Sequence, residues 1–250
     1  MKKKSEKSYP KKVWYFLWHD DSPKALIAQI LVAFLFIKYV FYPLIGLVAG
    51  TPLPIVAVVS GSMEQTGDVL CGVPAQEDWW STCGEWYEER GITQEQFSEF
   101  SFPNGFNTGD VIALRGTNTQ DLEVGDVIVY MANKQYPIIH RVTNISEGTV
   151  QTKGDNNPHP IQEYVLTDGH ILYNCYQEEN GRVILSPCTP SSKPVGPDTP
   201  GAIALLDETQ VHEDMIIGKA YARIPWIGYL KIGFVNLLEF IGLESVAQRI

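Results

Sequence analysis

The sequence predicts a mostly β domain held outside a membrane by an N-terminal helix. Three observations carry that prediction: one long apolar run near the start, a series of short β-branched segments after it, and four cysteines with no Cys-x-x-Cys spacing. At 250 residues the chain is long enough for one domain with a sizeable core plus membrane segments.

Residues 1–24 form a basic N-terminus, with Lys2, Lys3, Lys4, Lys7, Lys11 and Lys12 crowding its first dozen positions. The formal net charge of the whole chain is nevertheless −10, so everything after this segment is more acidic than the total suggests. An acidic body argues against nucleic acid as a partner.

Residues 25–50 read "ALIAQILVAFLFIKYVFYPLIGLVAG", interrupted only by Gln29 and Lys38. At about 1.5 Å per helical residue this run crosses a hydrocarbon core of roughly 30 Å. A secretory signal peptide has an apolar core of only about 7–15 residues, so the segment reads as a retained anchor. Lysines before it and acids after it put Met1 in the cytoplasm and residues 51–223 outside, with the cell membrane as the expected location. Membrane lipid is therefore an expected partner.

Residues 51–223 contain "PIVAVVS", "DVIALRG", "GDVIVYMA", "YPIIHRVTNIS", "GTVQTKGD", "GAIALLD" and "DMIIGKAYARIP", punctuated by turn residues. Such spacing predicts an antiparallel β domain. Residues 67–108 break the pattern with Trp79, Trp80, Trp86, Tyr87 and many acids, and read as an inserted lobe. Thr93 and Gln96 stand at capping-box spacing for a short helix there. The lobe is expected to be a disulfide-pinned excursion with its own small core; a sharper reading rests its tryptophans on the membrane interface. Residues 186–201, "SPCTPSSKPVGPDTPG", hold five prolines and read as a loop. Residues 224–250 admit two readings, a second membrane span or an interfacial amphipathic helix, because Lys231, Asn236 and Glu239 interrupt an otherwise apolar stretch.

Cys71, Cys83, Cys175 and Cys188 fit an oxidising compartment, with local pairs 71–83 and 175–188 expected among three possible pairings. Asn144-Ile145-Ser146 matches a glycosylation acceptor, a triplet common by chance.

Three islands point to chemistry: "SGSM" with Ser62, "PIIHRV" with His140 and "TKGDNNP" with Asp155. A serine hydroxyl becomes a useful nucleophile when a base removes its proton during attack. Histidine suits that task because its unperturbed pKa lies near 6.5, and a carboxylate behind the imidazole fixes its tautomer. Singly, each island has a plainer reading: a turn serine, a half-buried strand histidine, an Asx turn.

Together with "GDVIVY" and "IIGKAYARIPWIGYL", these islands resemble the type I signal peptidases of the archaeal and endoplasmic-reticulum branch, in which a histidine replaces the lysine base of the bacterial enzymes. The resemblance covers most of the chain and implies a signal-peptidase-like β domain acting as a membrane-bound serine endopeptidase on the signal peptides of preproteins. It implies Ser62 as nucleophile and His140 as general base. Ser60 then stands near the oxyanion hole, with the Ser62 backbone N–H as the main donor. No cofactor or metal is implied, Lys153 beside the aspartate is structural, and His159, His170 and His212 have no role. Secretion-channel or accessory subunits are partners that the resemblance leaves open.

Two departures matter. Most relatives have a second aspartate six residues after that of the "GDNN" box, thought to complete a triad; here the position is Ile161. Asp155 is then the first candidate for the third member, with Glu163 and Asp168 as the nearest other acids and a Ser-His dyad as the remaining option. Gln65 stands where the family has proline. Ile161 also motivates a rival, a catalytically inactive membrane-anchored binding subunit. A self-cleaving repressor of similar architecture would need a DNA-binding domain and a lysine base, and the sequence offers neither.

Overall fold

The computed structural model describes residues 9–166, 171–173, 175–179, 182–185, 193–194 and 202–225. Two compact units divide the chain, Met1–Pro52 and Leu53–Ile250. The second-span reading of residues 224–250, most of the 186–201 loop, Asp168, His170 and the Cys175–Cys188 pairing lie outside the described residues.

The first unit is helical. Helix α1, Tyr9–His19, is followed by α2, Pro23–Phe36, a π-helical turn at Ile37–Phe41, and α3, Tyr42–Ala49. Ser22 caps α2 by accepting the Ala25 N–H at 3.3 Å, and Pro23 occupies the first turn, where its missing N–H costs nothing. The π turn stands just before Pro43, and the Tyr42 N–H reaches back to the Ile37 carbonyl. That one-residue widening absorbs a proline that cannot continue the ordinary ladder. Gly50, at φ 70°, closes the helix in the left-handed conformation glycine adopts without a Cβ penalty. From Pro23 to Ala49 the helix runs unbroken for 27 residues, long and apolar enough to cross a membrane. Helix α1 was not foreseen in the sequence; it exposes Trp14 and Trp18 and is tied to α2 by the Gln29 side chain, which donates to the Leu17 carbonyl at 2.8 Å.

The second unit is mostly β, as expected. Its strands run β1 Ile55–Ala57, β2 Val69–Leu70, β3 Val73–Pro74, β4 Val111–Arg115, β5 Val127–Tyr130, β6 Ile138–Ser146, β7 Thr149–Lys153, β8 Gln162–Leu166, β9 Ile171–Tyr173, β10 Cys175–Glu179, β11 Arg182–Leu185, β12 Lys193–Pro194, β13 Ala202–Asp207, β14 Val211–His212 and β15 Ile216–Ile224. The main sheet has seven strands in the order β1-β4-β15-β5-β6-β7-β14, all antiparallel. Smaller sheets are β13-β8-β9, β11-β10-β12 and β2-β3. Strand β5, "VIVY", is buried along its whole length because it lies inside the sheet with packing on both faces. Its alternate residues supply two cores. Val127 and Val129 join Val58, Met63, Phe106, Ile112 and Leu114, while Ile128 and Tyr130 join Leu122, Val142, Val150, Leu206 and Val211. Burying each such side chain contributes about 1.5–3 kcal/mol.

The lobe has a third core, in which Leu70, Trp79, Cys83, Tyr87, Ile92 and Phe97 pack with Trp80, Trp86 and Phe100. Helices α4 Trp79–Cys83, α5 Glu85–Glu88 and α6 Gln94–Ser98 frame it, and Cys71–Cys83 form a disulfide. At α6 the capping box is complete: Thr93 Oγ1 accepts the Gln96 N–H at 3.3 Å and Gln96 Oε1 accepts the Thr93 N–H at 2.9 Å. The lobe's large aromatics thus pack against one another, with Trp79 and Phe97 ring centroids 4.8 Å apart.

Candidate active site

The site forms where the chain leaves β1, where β6 crosses the sheet, and where β7 ends. After β1 the chain turns, with the Glu64 N–H donating to the Gly61 carbonyl at 3.0 Å. Met63 sinks fully into the first core and holds the turn down. Glu64 accepts from the Thr108 N–H and hydroxyl at 2.9 and 2.8 Å, and the Phe106 N–H donates to the Met63 carbonyl at 2.9 Å. Asn156 adds two bonds, its backbone N–H to the Ser62 carbonyl at 2.8 Å and its amide to the Gly61 carbonyl at 3.2 Å. Ser62 is therefore half-buried on a turn fixed from three sides. Its own N–H has no acceptor among the described residues, and the Ser60 hydroxyl stands 3.3 Å from the Ser62 hydroxyl.

His140 and Arg141 are consecutive on β6, so their side chains leave the strand on opposite faces. His140 Nε2 lies 2.9 Å from Ser62 Oγ. Arg141 faces the lobe, and all five of its N–H groups are taken: Asp155 receives two at 2.9 and 2.7 Å, and the carbonyls of Ser101, Gly125 and Phe102 receive the others. Burial alone would lower the guanidinium pKa, and the adjacent Asp155 carboxylate more than offsets it, leaving the pKa raised.

That arrangement corrects the expectation for Asp155. Its carboxylate does not stand behind His140; besides Arg141 it accepts from Gln65 Nε2 at 2.8 Å and Tyr87 at 3.4 Å. The reason is the alternation at the end of β7. Gly154 passes so close to the imidazole that a Cβ there would lie 2.8 Å from His140 Nε2, and the next residue points away from the ring. Gln65 thus has a task of its own, bonding the aspartate that carries the lobe. Glu163 is also elsewhere, paired with Lys134 Nζ at 2.5 Å.

The acid at His140 is Glu208, which the sequence reading missed. Glu208 Oε1 contacts His140 Nδ1 directly, with both groups buried. It lies in the turn after β13, where the Thr209 N–H and hydroxyl bond Asp207 Oδ1 at 3.0 and 2.6 Å in an Asx-type turn. Tyr130 donates its hydroxyl to Glu208 Oε1 at 2.8 Å, and the Ile161 N–H donates to Oε2 at 2.7 Å. The only signal in the sequence was the polar "DETQ" ending an apolar strand, 46 positions beyond Gln162 where β8 begins.

Lys153 is buried on the far side of the site. Its ammonium donates to the Gly154 carbonyl at 3.1 Å and lies 4.6 Å from the Tyr87 ring centroid. Burial depresses its pKa to about 7, against the opposing pull of Asp155 and Glu208. Burial likewise raises the Tyr87 and Tyr130 phenols well above their ordinary value.

A hydroxyl in contact with an imidazole, beside a backbone N–H with no acceptor among the described residues, has the parts for acyl transfer. No family model matches the chain. Among curated proteins, it is 30% identical over 243 residues to the signal peptidase complex catalytic subunit SEC11 of Colletotrichum graminicola, a match covering 91% of this chain and 96% of that relative. The corresponding subunit of Pyrenophora tritici-repentis is 33% identical over 247 residues, covering 92% and 96%. That of Saccharomyces cerevisiae strain YJM789 is 32% identical over 133 residues, covering 50% and 56%.

Proposed function

Because this chain belongs to the type I signal peptidase family, through relatives matched over nearly their whole length, we propose that it is a membrane-bound serine endopeptidase that removes N-terminal signal peptides from preproteins. The observation that carries the reading is the 2.9 Å contact between Ser62 Oγ and His140 Nε2. Ser62 attacks the scissile carbonyl while His140 Nε2 takes its proton. The oxyanion of the tetrahedral intermediate is received by the Ser62 N–H, and Ser60 borders that position. His140 then hands the proton to the leaving amine, and water, activated by the same imidazole, releases the signal peptide from the Ser62 ester.

The Pro23–Ala49 helix shares the bilayer with the apolar segment of the substrate, which reduces the search for the cleavage site to positioning. The catalytic unit faces the oxidising side, in keeping with the Cys71–Cys83 disulfide, and Met1 is cytoplasmic. Relatives named as subunits of a signal peptidase complex favour the endoplasmic-reticulum membrane over the cell membrane, and accessory subunits as partners. Retention of both Ser62 and His140 in contact weighs against an inactive binding subunit.

The test is processing of a model preprotein by the detergent-solubilised full chain, with the new N-terminus sequenced. Wild type should yield one cut after the signal sequence, and Ser62→Ala should leave the precursor intact. Equal processing by both would overturn the reading.

A further inference from the structure

We propose that Glu208 is the positioning residue for the His140 base: a carboxylate delivered by the turn after β13 takes the place of the acid missing at position 161. The inference rests on the peptidase reading above and deepens it. Glu208 is anchored at both of its carboxylate oxygens and at its backbone. Tyr130 and His140 Nδ1 meet Oε1, the Ile161 N–H meets Oε2, the Glu208 N–H donates to the Ile161 carbonyl at 2.9 Å, and its carbonyl accepts the Thr152 N–H at 2.8 Å. Glu208 is thus tied to residue 161 by two hydrogen bonds, one at its carboxylate and one at its backbone N–H. The Ile161 side chain itself packs against the second core, with Leu206 and Val211 among its members.

Two consequences follow for the imidazole. A carboxylate acceptor at Nδ1 requires the neutral ring to carry its proton there, which leaves Nε2 with the lone pair that Ser62 needs. Among the described residues His140 is also the one ion-pair partner of Glu208; its other partners are neutral donors. A fully buried carboxylate in ion-pair contact with the imidazole interacts more strongly with the imidazolium of the transition state than with the neutral ring of the ground state. Asp155 cannot supply this, since Arg141 already neutralises it.

The experiment compares wild type, Glu208→Gln and Tyr130→Phe in the full detergent-solubilised chain, reading preprotein kcat and KM, fluorophosphonate labelling of Ser62, and thermal midpoint. Glu208→Gln retains shape but inverts the hydrogen-bond pattern at Nδ1. Its kcat should fall about 10³–10⁴-fold, as for loss of the acid in other serine triads, with KM within about threefold and labelling slowed in parallel. Tyr130→Phe, which removes a neutral donor to the same oxygen and an acceptor for the Thr152 hydroxyl, should stay within about tenfold of wild type. Glu208→Gln with wild-type labelling and kcat overturns the proposal, as does a loss confined to KM and thermal midpoint. Wild type that fails to label at Ser62 overturns the peptidase reading itself; wild type that labels but does not cut preprotein leaves the labelling rates to decide on Glu208.

Discussion

Arg141 grips Asp155 through two parallel hydrogen bonds at 2.9 and 2.7 Å, with neither side chain reached by solvent. This pair joins β6 to the segment that carries the lobe, since the Asp155 carbonyl also accepts the Trp79 indole N–H at 3.2 Å. Asp155→Asn leaves a buried guanidinium without its counter-charge, a change that costs about 3–5 kcal/mol. For a chain of this size the thermal midpoint should fall by on the order of 10 °C. At a temperature where the variant is folded, its kcat should remain closer to wild type than that of Glu208→Gln, which separates a structural acid from a positioning one.

Gly154 passes between Ser62 and His140. A Cβ there would lie 2.8 Å from His140 Nε2 and 2.7 Å from the Ser62 carbonyl, so Gly154→Ala must push these two residues apart. Misplacement by about 1 Å costs roughly 10²-fold in rate, and that is the expected fall in kcat/KM. Preprotein processing by the variant, with retained far-ultraviolet circular dichroism, checks it.

Lys153 gives the fold a defined pH dependence. Its folded pKa is about 7, below the ordinary 10.5 that applies in the unfolded chain. Between those values the unfolded chain binds the extra proton, so this residue makes folding more favourable as pH rises from about 7 towards 10.5. Lys153→Met removes the contribution. The thermal midpoint of wild type minus that of the variant should therefore increase between pH 6.5 and pH 9.5, and a constant difference would contradict the assignment.

The Cys71–Cys83 disulfide spans a sequence separation of 12, and the Cys71 N–H donates to Asn156 Oδ1 at 2.9 Å. Closing a loop near that length stabilises a fold by about 3 kcal/mol. A Cys71→Ser, Cys83→Ser double variant should be cut faster within residues 67–108 by limited proteolysis. Because Asn156 also holds the Gly61 and Ser62 carbonyls, reduction should lower kcat as well.

The β-branched runs announced β4, β5, β6 and β7 because central strands must bury both faces, and period-two or continuous apolar patterns record that requirement directly. Ser62 and His140 were legible because each sits in a local motif. The acid was not, for a physical reason: a carboxylate can reach an imidazole from any neighbouring strand, and nothing in the local sequence of "LLDETQ" encodes that the β13 turn folds back over β7. Asp155 misled for the complementary reason, since the arginine that claims it is adjacent to the histidine in sequence but on the opposite face of β6. Helix α1 escaped notice because its lysines mark charge and topology before they mark periodicity.

The most direct measurement is mass-spectrometric mapping of a fluorophosphonate adduct on the full-length protein, with wild type and His140→Ala side by side. One adduct is expected, on the peptide containing Ser62, with labelling in His140→Ala slowed by at least about two orders of magnitude. An adduct on another serine, or equal labelling in the two proteins, would contradict it.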